Sequence, residues 1–140
     1  MTTAELLTEL QTELAERFDV DAEILYTRAV DVVEISRRFV LHPATYSCER
    51  VGMTGPRRAF GVDFLSEEHV AAQDVEDHAR ECVAFFERVA ESFTRKPLVG
   101  AAFCLSVTTF DDAPGSVNTQ IVENGLSLVL AGVRMTFVEN

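Results

Sequence analysis

The stretch from Asp74 to Arg95 constrains this chain more than any other. Its apolar residues fall at Val75, Ala79, Cys82, Val83, Phe86, Val89, Ala90 and Phe93, the spacing of a single stripe on an α-helix. Glu76, Asp77, Arg80, Glu81, Glu87, Arg88 and Glu91 occupy the opposite side, which is therefore expected to face water. Asp74 is placed to cap the helix start by accepting backbone N–H bonds, and Arg95, Lys96 and Pro97 form a cationic end that stops it. A long helix with one apolar side needs a sheet to lie on. Two strand-like segments precede it and two follow.

A chain of 140 residues fits one domain and can bury on the order of 70% of its unfolded surface without metal or disulfide staples. With 47% hydrophobic and 25% charged residues, its composition is neither that of a disordered chain nor that of a membrane protein. Twelve Lys plus Arg against 23 Asp plus Glu leave a net charge of −11, which argues against broad binding to phosphate backbones or anionic lipid. The longest apolar run, Leu98 to Val107, contains Gly and Ser and falls far short of the ~20 residues that span a bilayer, so no membrane partner is expected. The first residues, Met-Thr-Thr-Ala-Glu, hold neither a basic nor an apolar signal region, so synthesis in the cytosol is expected. Cys48, Cys82 and Cys104 are odd in number and widely separated, and they read as buried free thiols rather than a redox pair or metal site.

In chain order, Thr2 to Phe18 reads as a first helix. Thr2 and Glu5 stand in capping-box spacing, and Leu6, Leu7, Leu10, Leu14 and Phe18 form its stripe. Ala22 to Tyr26 reads as a short strand or extended lead-in, and the β-branched run Ala29 to Ile35 extends the next strand upstream. Arg37 to His42 alternates as a strand that Pro43 is expected to end. The polar segment between Pro43 and Arg58 reads as a long hairpin loop, and Ala59 to Leu65 as a strand antiparallel to Arg37–His42. Ser66 to Gln73 is expected to be a link into the long helix. After a turn at Gly100, Ala102 to Phe110 is a half-buried strand, Asp111 to Gly115 a turn, and Ser116 to Gly125 a connection with room for a short helix. In the last strand, Leu126 to Val138, apolar residues change parity, which predicts a β-bulge or a bend at Ala131 and Gly132. The fold class is therefore α+β: a two-layer sandwich of the long amphipathic helix and the N-terminal helix on a mainly antiparallel sheet, in one domain covering residues 1–140.

Sites for chemistry are scarce. His69, Asp74 and His78 cluster at the start of the helix without the spacing that puts two imidazoles one turn apart, so no metal site is expected. His42, beside Pro43, reads as an ordinary exposed imidazole. Cys82 and Cys104 have apolar neighbours rather than the basic setting a thiolate nucleophile needs. Asp111 and Asp112 precede Ala-Pro-Gly, which favours a turn over paired catalytic carboxylates. No phosphate-binding glycine loop or nucleophile elbow is present. No catalytic residue, cofactor or metal is assigned. The pairs Arg37–Arg38, Arg57–Arg58 and Arg95–Lys96 are basic islands in an acidic chain. They serve either solubility or charge complementarity between identical subunits.

The segments Phe39-Val-Leu-His-Pro43, Arg57-Arg-Ala-Phe-Gly-Val-Asp-Phe64, the helix Val75 to Phe93 with its exit Thr94 to Leu98, the strand Phe103 to Phe110, and Leu126-Ser-Leu-Val-Leu130 with Val133-Arg-Met-Thr-Phe137 follow one another in a familiar order. This order resembles the small tail-completion, or tail-terminator, proteins of long-tailed bacteriophages and prophage-like particles. Gly125 to Leu130 departs from the aromatic-rich version of that pattern. The resemblance implies a non-enzymatic virion protein of the tail or neck, assembled in the host cytoplasm. Such a protein caps the tail tube as a ring of itself, expected to hold six copies, and offers the surface for joining the head. Its implied partners are the tail tube protein, head-tail connector proteins and DNA that passes through the lumen without specific binding. The expected contact residues are Arg37, Arg38, Arg57, Arg58, Asp111, Asp112 and Pro114, with the loops Ala44–Arg57 and Asp111–Gly125 as the contacting segments. Another head-tail joining component, or a cytosolic α+β adaptor unrelated to phage, would carry the same helix-on-sheet pattern.

Overall fold

The computed structural model describes residues 1–27, 37–50, 52, 55–98, 102–109, 117–121 and 126–139. Helix α1 (Thr3–Phe18) is followed by strands β1 (Ala22–Ile24), β2 (Arg37–Arg50) and β3 (Pro56–Ala71). Helix α2 (Val75–Phe93) comes next, and β4 (Ala102–Thr109), β5 (Val117–Ile121) and β6 (Leu126–Glu139) complete the order. The strands form one sheet in the order β1-β2-β3-β6-β4, with β5 also on β6. Among the described residues only the β1–β2 pair is parallel. The outer side of β6 is thus shared. Its first half, Ser127 to Ala131, pairs with β5, and its second half, from Val133 on, with β4.

Both helices lie on one face of this sheet, because their apolar stripes share a single buried cluster with one set of strand residues. Leu6, Leu7, Leu10 and Leu14 of α1 and Cys82, Phe85, Phe86, Val89 and Phe93 of α2 meet Leu41, Phe60, Val62, Phe64, Val133, Met135 and Phe137. Thr2 caps α1 through its hydroxyl, which accepts from the Glu5 N–H at 3.2 Å, and Asp19 closes the helix in the left-handed conformation. At their C-terminal ends the two helices are stitched together. The Arg17 guanidinium donates to the Ser92 carbonyl at 3.0 Å and lies 4.4 Å above the Phe93 ring centroid.

The α+β two-layer reading stands, and several of its details change. Pro43 does not end β2. It lies past the last β1–β2 pair, Ile24↔Leu41, and beside a register shift between Pro43 and Thr45, two places where a missing N–H is tolerated. Most of the expected loop between Pro43 and Arg58 is therefore strand. Ser66 to Ala71 continues β3 instead of linking to the helix, and only Ala72–Asp74 form a 3-10 turn. Ion pairs take the place of apolar alternation there: Glu67 meets Arg38 across the ladder at 2.8 Å, and Glu68 meets His78 of α2 at 2.7 Å. Asp74 holds the N-cap position with αR dihedrals and makes no side-chain capping bond. Arg95 and Lys96 lie beyond the helix end, so the last turn carries no base.

The bulge expected in β6 is absent, and β3 and β6 pair without a break from Ala59↔Val138 to Ala71↔Leu126. Leu126, Leu128 and Leu130 simply face the side away from the helices, while Val129, Ala131, Val133, Met135 and Phe137 face them. The irregularity sits in β4 instead, between Cys104 and Ser106. It turns Leu105 outward and puts Val107 against the core. Val117–Ile121 is strand rather than a short helix. The expected strand extension Ala29–Ile35 and the turns at Gly100 and Asp111–Gly115 lie outside the described residues. Among the described residues no helix is long and apolar enough to cross a membrane.

Candidate interaction surface

Strands β2 and β3 outrun the rest of the sheet. The β3–β6 ladder ends at Ala59↔Val138, but β2–β3 pairing continues through Cys48↔Arg58, Glu49↔Arg57 and Arg50↔Pro56. The result is a two-stranded arm. Thr45 to Arg50, Pro56 and Arg57 are all exposed. At the turn, Gly52 and Gly55 adopt φ of 65° and 71°, the left-handed region that glycine enters without steric cost.

Three contacts fix the root of the arm. The Tyr46 ring meets Phe60 edge-on with centroids 5.5 Å apart, yet 56% of Tyr46 remains exposed. Arg58 donates to both carboxylate oxygens of Glu139 at 3.2 and 3.1 Å. The register shift brings the Thr45 side chain over Gly61, where a β-carbon would collide with the Thr45 hydroxyl. Glu139 also accepts from the Met1 amine at 2.7 Å. That hydrogen bond, with the charge of Arg58, holds its carboxyl below the usual range.

The predicted contact residues do not form one patch. Arg57 and Arg58 sit on the arm, whereas Arg37 and Arg38 sit at the other end of the same hairpin, opposite Glu68 and Glu67. Eight residues of β3, Ala59 to Ser66, separate the two groups, on the order of 30 Å at ~3.3 Å per residue. Arg38 is held by Glu67 at 2.8 Å and approaches Glu23 at 3.8 Å. Arg37 lies 4.8 Å above the Phe39 ring centroid and 4.0 Å from Glu68. Both therefore serve the chain's own fold. They border an open cavity of about 400 Å³ between α1, β1 and β2, lined also by Gln11, Asp21 and Glu23, in which acids and bases balance. Asp111, Asp112 and Pro114 lie outside the described residues.

No model of a known protein family matches this chain, and no curated protein is significantly similar to it.

The titratable groups around Cys82 are not arranged as a relay. Cys82 Sγ lies 3.6 Å from His78 Nε2, and Glu68 contacts the same ring nitrogen at 2.7 Å. The imidazole thus does not bridge thiol and carboxylate through its two nitrogens, as a relay requires. Burial pushes the Cys82 thiol up and that of Cys104 up to about 11. His69 and His78 fall on opposite faces of the sheet, because His69 has the parity of Asp63 and Glu67 whereas His78 meets Glu68. His42 is half-buried rather than exposed, and its Nδ1 lies 2.9 Å from the Leu25 carbonyl, so that nitrogen carries the proton. Cys48 departs from the expected burial and is exposed on the arm.

The sequence missed the arm. Its signal was the alternation Tyr46, Cys48, Arg50 against Arg58 and Pro56, too polar to register as a strand and interrupted by Pro43.

Proposed function

We propose that this chain is a structural protein of a phage-like tail or neck, which caps the tail tube as a ring and presents the surface for head joining. The observation that carries the reading is the arm. A two-stranded ribbon standing clear of its sheet is marginally stable in water on its own. One bearing exposed cations, with exposed Tyr46 at its root and built onto the central strands, is an element made to touch a neighbour. A closed ring requires head-to-tail contacts between two different surfaces of each subunit, and an arm at one end of the fold supplies one of them. The order of elements that resembles the tail-terminator proteins agrees with this use. The net charge of −11 suits a ring around a DNA passage, since acids near the lumen repel phosphates and let DNA slide.

The test is electron microscopy of a lysate from which this gene is deleted. Filled heads beside unattached tails of irregular, excessive length support tail termination. Filled heads beside tails of normal length move the protein to head-tail joining. Intact virions overturn the phage-structural reading and leave a protein-binding adaptor.

A further inference from the structure

We propose that the free chain pairs with a second copy of itself through the outer edge of β2, Tyr46 to Arg50, the two arms joining antiparallel about a two-fold axis at Cys48. The pairing does not rest on the tail reading. It shields the arm in the unassembled chain, and it must open before the arm can serve a ring neighbour.

The outer edge of β2 is covered at its start. β1 takes Phe39 to Leu41, and the Leu25 N–H reaches the Leu41 carbonyl at 3.0 Å. Further along, among the described residues, no strand pairs with this edge, and Thr45 to Arg50 are exposed without a break on both faces of the ribbon. Such an edge is a template for another strand unless lysine, proline or a bulge blocks it. Here Pro43 and the register shift stand before the exposed run, and neither Lys nor Pro lies within it. The arm's other edge is short, beginning at Pro56, which has no N–H to give.

The direction of the backbone groups decides what this edge accepts. Cys104 donates its N–H to the Lys96 carbonyl at 3.0 Å, and its carbonyl accepts from Arg95 at 2.9 Å, so its backbone points away from β6. By the alternation of antiparallel ladders, Phe137 opposite Cys104 then points to β3, Phe60 back to β6, and Tyr46 opposite Phe60 outward. Cys48 and Arg50 repeat that direction at every second position. All three therefore offer an N–H and a carbonyl to an incoming strand.

A two-fold axis across the edge sets one residue opposite its own copy. With Glu49 there, two carboxylates face each other, which is destabilising. With Ser47 there, Arg50 falls opposite the irregular stretch between Pro43 and Thr45. With Cys48 there, every outward residue meets an outward one: Cys48 opposes Cys48, and Tyr46 of each copy opposes Arg50 of the other. Each such pair exchanges two hydrogen bonds. The Tyr46 ring rests edge-on against Phe60 and is 56% exposed, so a guanidinium from the second copy has a bare ring to cover. Arg58, beside Cys48 in the ladder, is balanced by Glu139 and adds little repulsion. The joined arms form a four-stranded sheet in place of two ribbons that are each marginal alone.

The test is sedimentation equilibrium of the purified full chain across a concentration series, in which a reversible dimer is expected. Cys48→Pro removes an outward N–H and spares the β2–β3 bonds, so it is expected to keep the circular dichroism of wild type and to raise the dimer dissociation constant about tenfold or more. A second measurement reads the register without a proline. Diamide takes up the two electrons and two protons that a pair of thiols loses, and it is expected to link Cys48 to Cys48 of the second copy. With the thiol moved one position, in Ser47→Cys with Cys48→Ser, linkage is expected to be about tenfold slower or more, because position 47 opposes Glu49 instead of its own copy. A chain that is monomeric throughout, a dimer indifferent to a folded Cys48→Pro, or equal linkage from both positions overturns the pairing. Rings that form with no dimer at any concentration overturn it and leave the tail reading standing. A dimer that behaves as expected while the gene deletion yields intact virions overturns the tail reading and leaves the pairing.

Discussion

Arg58 and Glu139 join the root of the arm to the last residue of β6, the guanidinium spanning both carboxylate oxygens at 3.2 and 3.1 Å. Because the folded carboxyl is held below its ordinary value of 4.5, the stabilisation is present above that pH. It is lost as pH falls through the folded value. The melting temperature of wild type should therefore exceed that of Glu139→Gln at pH 7, and the two should converge as the pH is taken well below 4. A difference that persists in acid would show that Glu139 acts through packing rather than charge.

The arm should be separable from the core. Replacing Glu49–Arg57 by Asn-Gly, between the paired Cys48 and Arg58, gives the chain a two-residue hairpin turn of the type matched to strand twist. It also keeps the Arg58–Glu139 pair. Thermal unfolding of this variant is expected to stay within a few degrees of wild type, because none of the described residues removed belongs to the buried cluster. Its assembly, read by sedimentation, is expected to be lost.

Phe64 is fully buried and packs against the rings of Phe39, Phe85 and Phe86, with centroids 5.8, 6.2 and 5.4 Å away. Phe64→Ala removes the ring that joins β2, β3 and α2. The expected loss is about 3–5 kcal/mol by denaturant titration, at the upper end of single core truncations. Loss below about 1 kcal/mol would mean that the aromatic cluster closes around the gap.

The three cysteines differ in setting, and labelling should separate them. A brief pulse of thiol reagent at pH 8 is expected to modify Cys48 alone, giving one adduct by intact mass and three after denaturation. Cys104, with its thiol up at about 11 and buried, is the slowest. In an assembled ring the same pulse should leave Cys48 protected, since it shares the ribbon face of Tyr46 and Arg50.

Apolar periodicity carried the helices and the sheet because α1 and α2 each bury one stripe and β3 buries Phe60, Val62 and Phe64 at every second position. It failed where polar residues hold strand positions through partners that are distant in sequence. Ser66, Glu67 and Glu68 read as a link because nothing local announces Arg38, 29 residues away from Glu67, or His78. It failed in β6 for the opposite reason. Leu128 is buried on one face and Val129 on the other, and two apolar faces on one strand look like a register shift when only one face is assumed to be dry. Phe85 went unassigned because its angular position lies at the margin of the α2 stripe, and Phe18, Phe39 and Phe64 cover it only in the folded chain. At the candidate contact surface, the arginine pairs were visible as charge islands. Which of them the fold consumes, and which it leaves at the tip of a ribbon, depends on the hairpin's length.

Strand β3 runs without interruption from the arm, through the middle of the sheet, to the turn that launches α2, 16 residues or on the order of 50 Å. A pull on the tip is therefore taken up along the whole β3–β6 seam. Its hydrogen bonds are loaded together in shear, not peeled one at a time from a hinge. A subunit gripped at that tip is tethered by its stiffest axis, which is how a ring would hold its shape while something is driven through its centre.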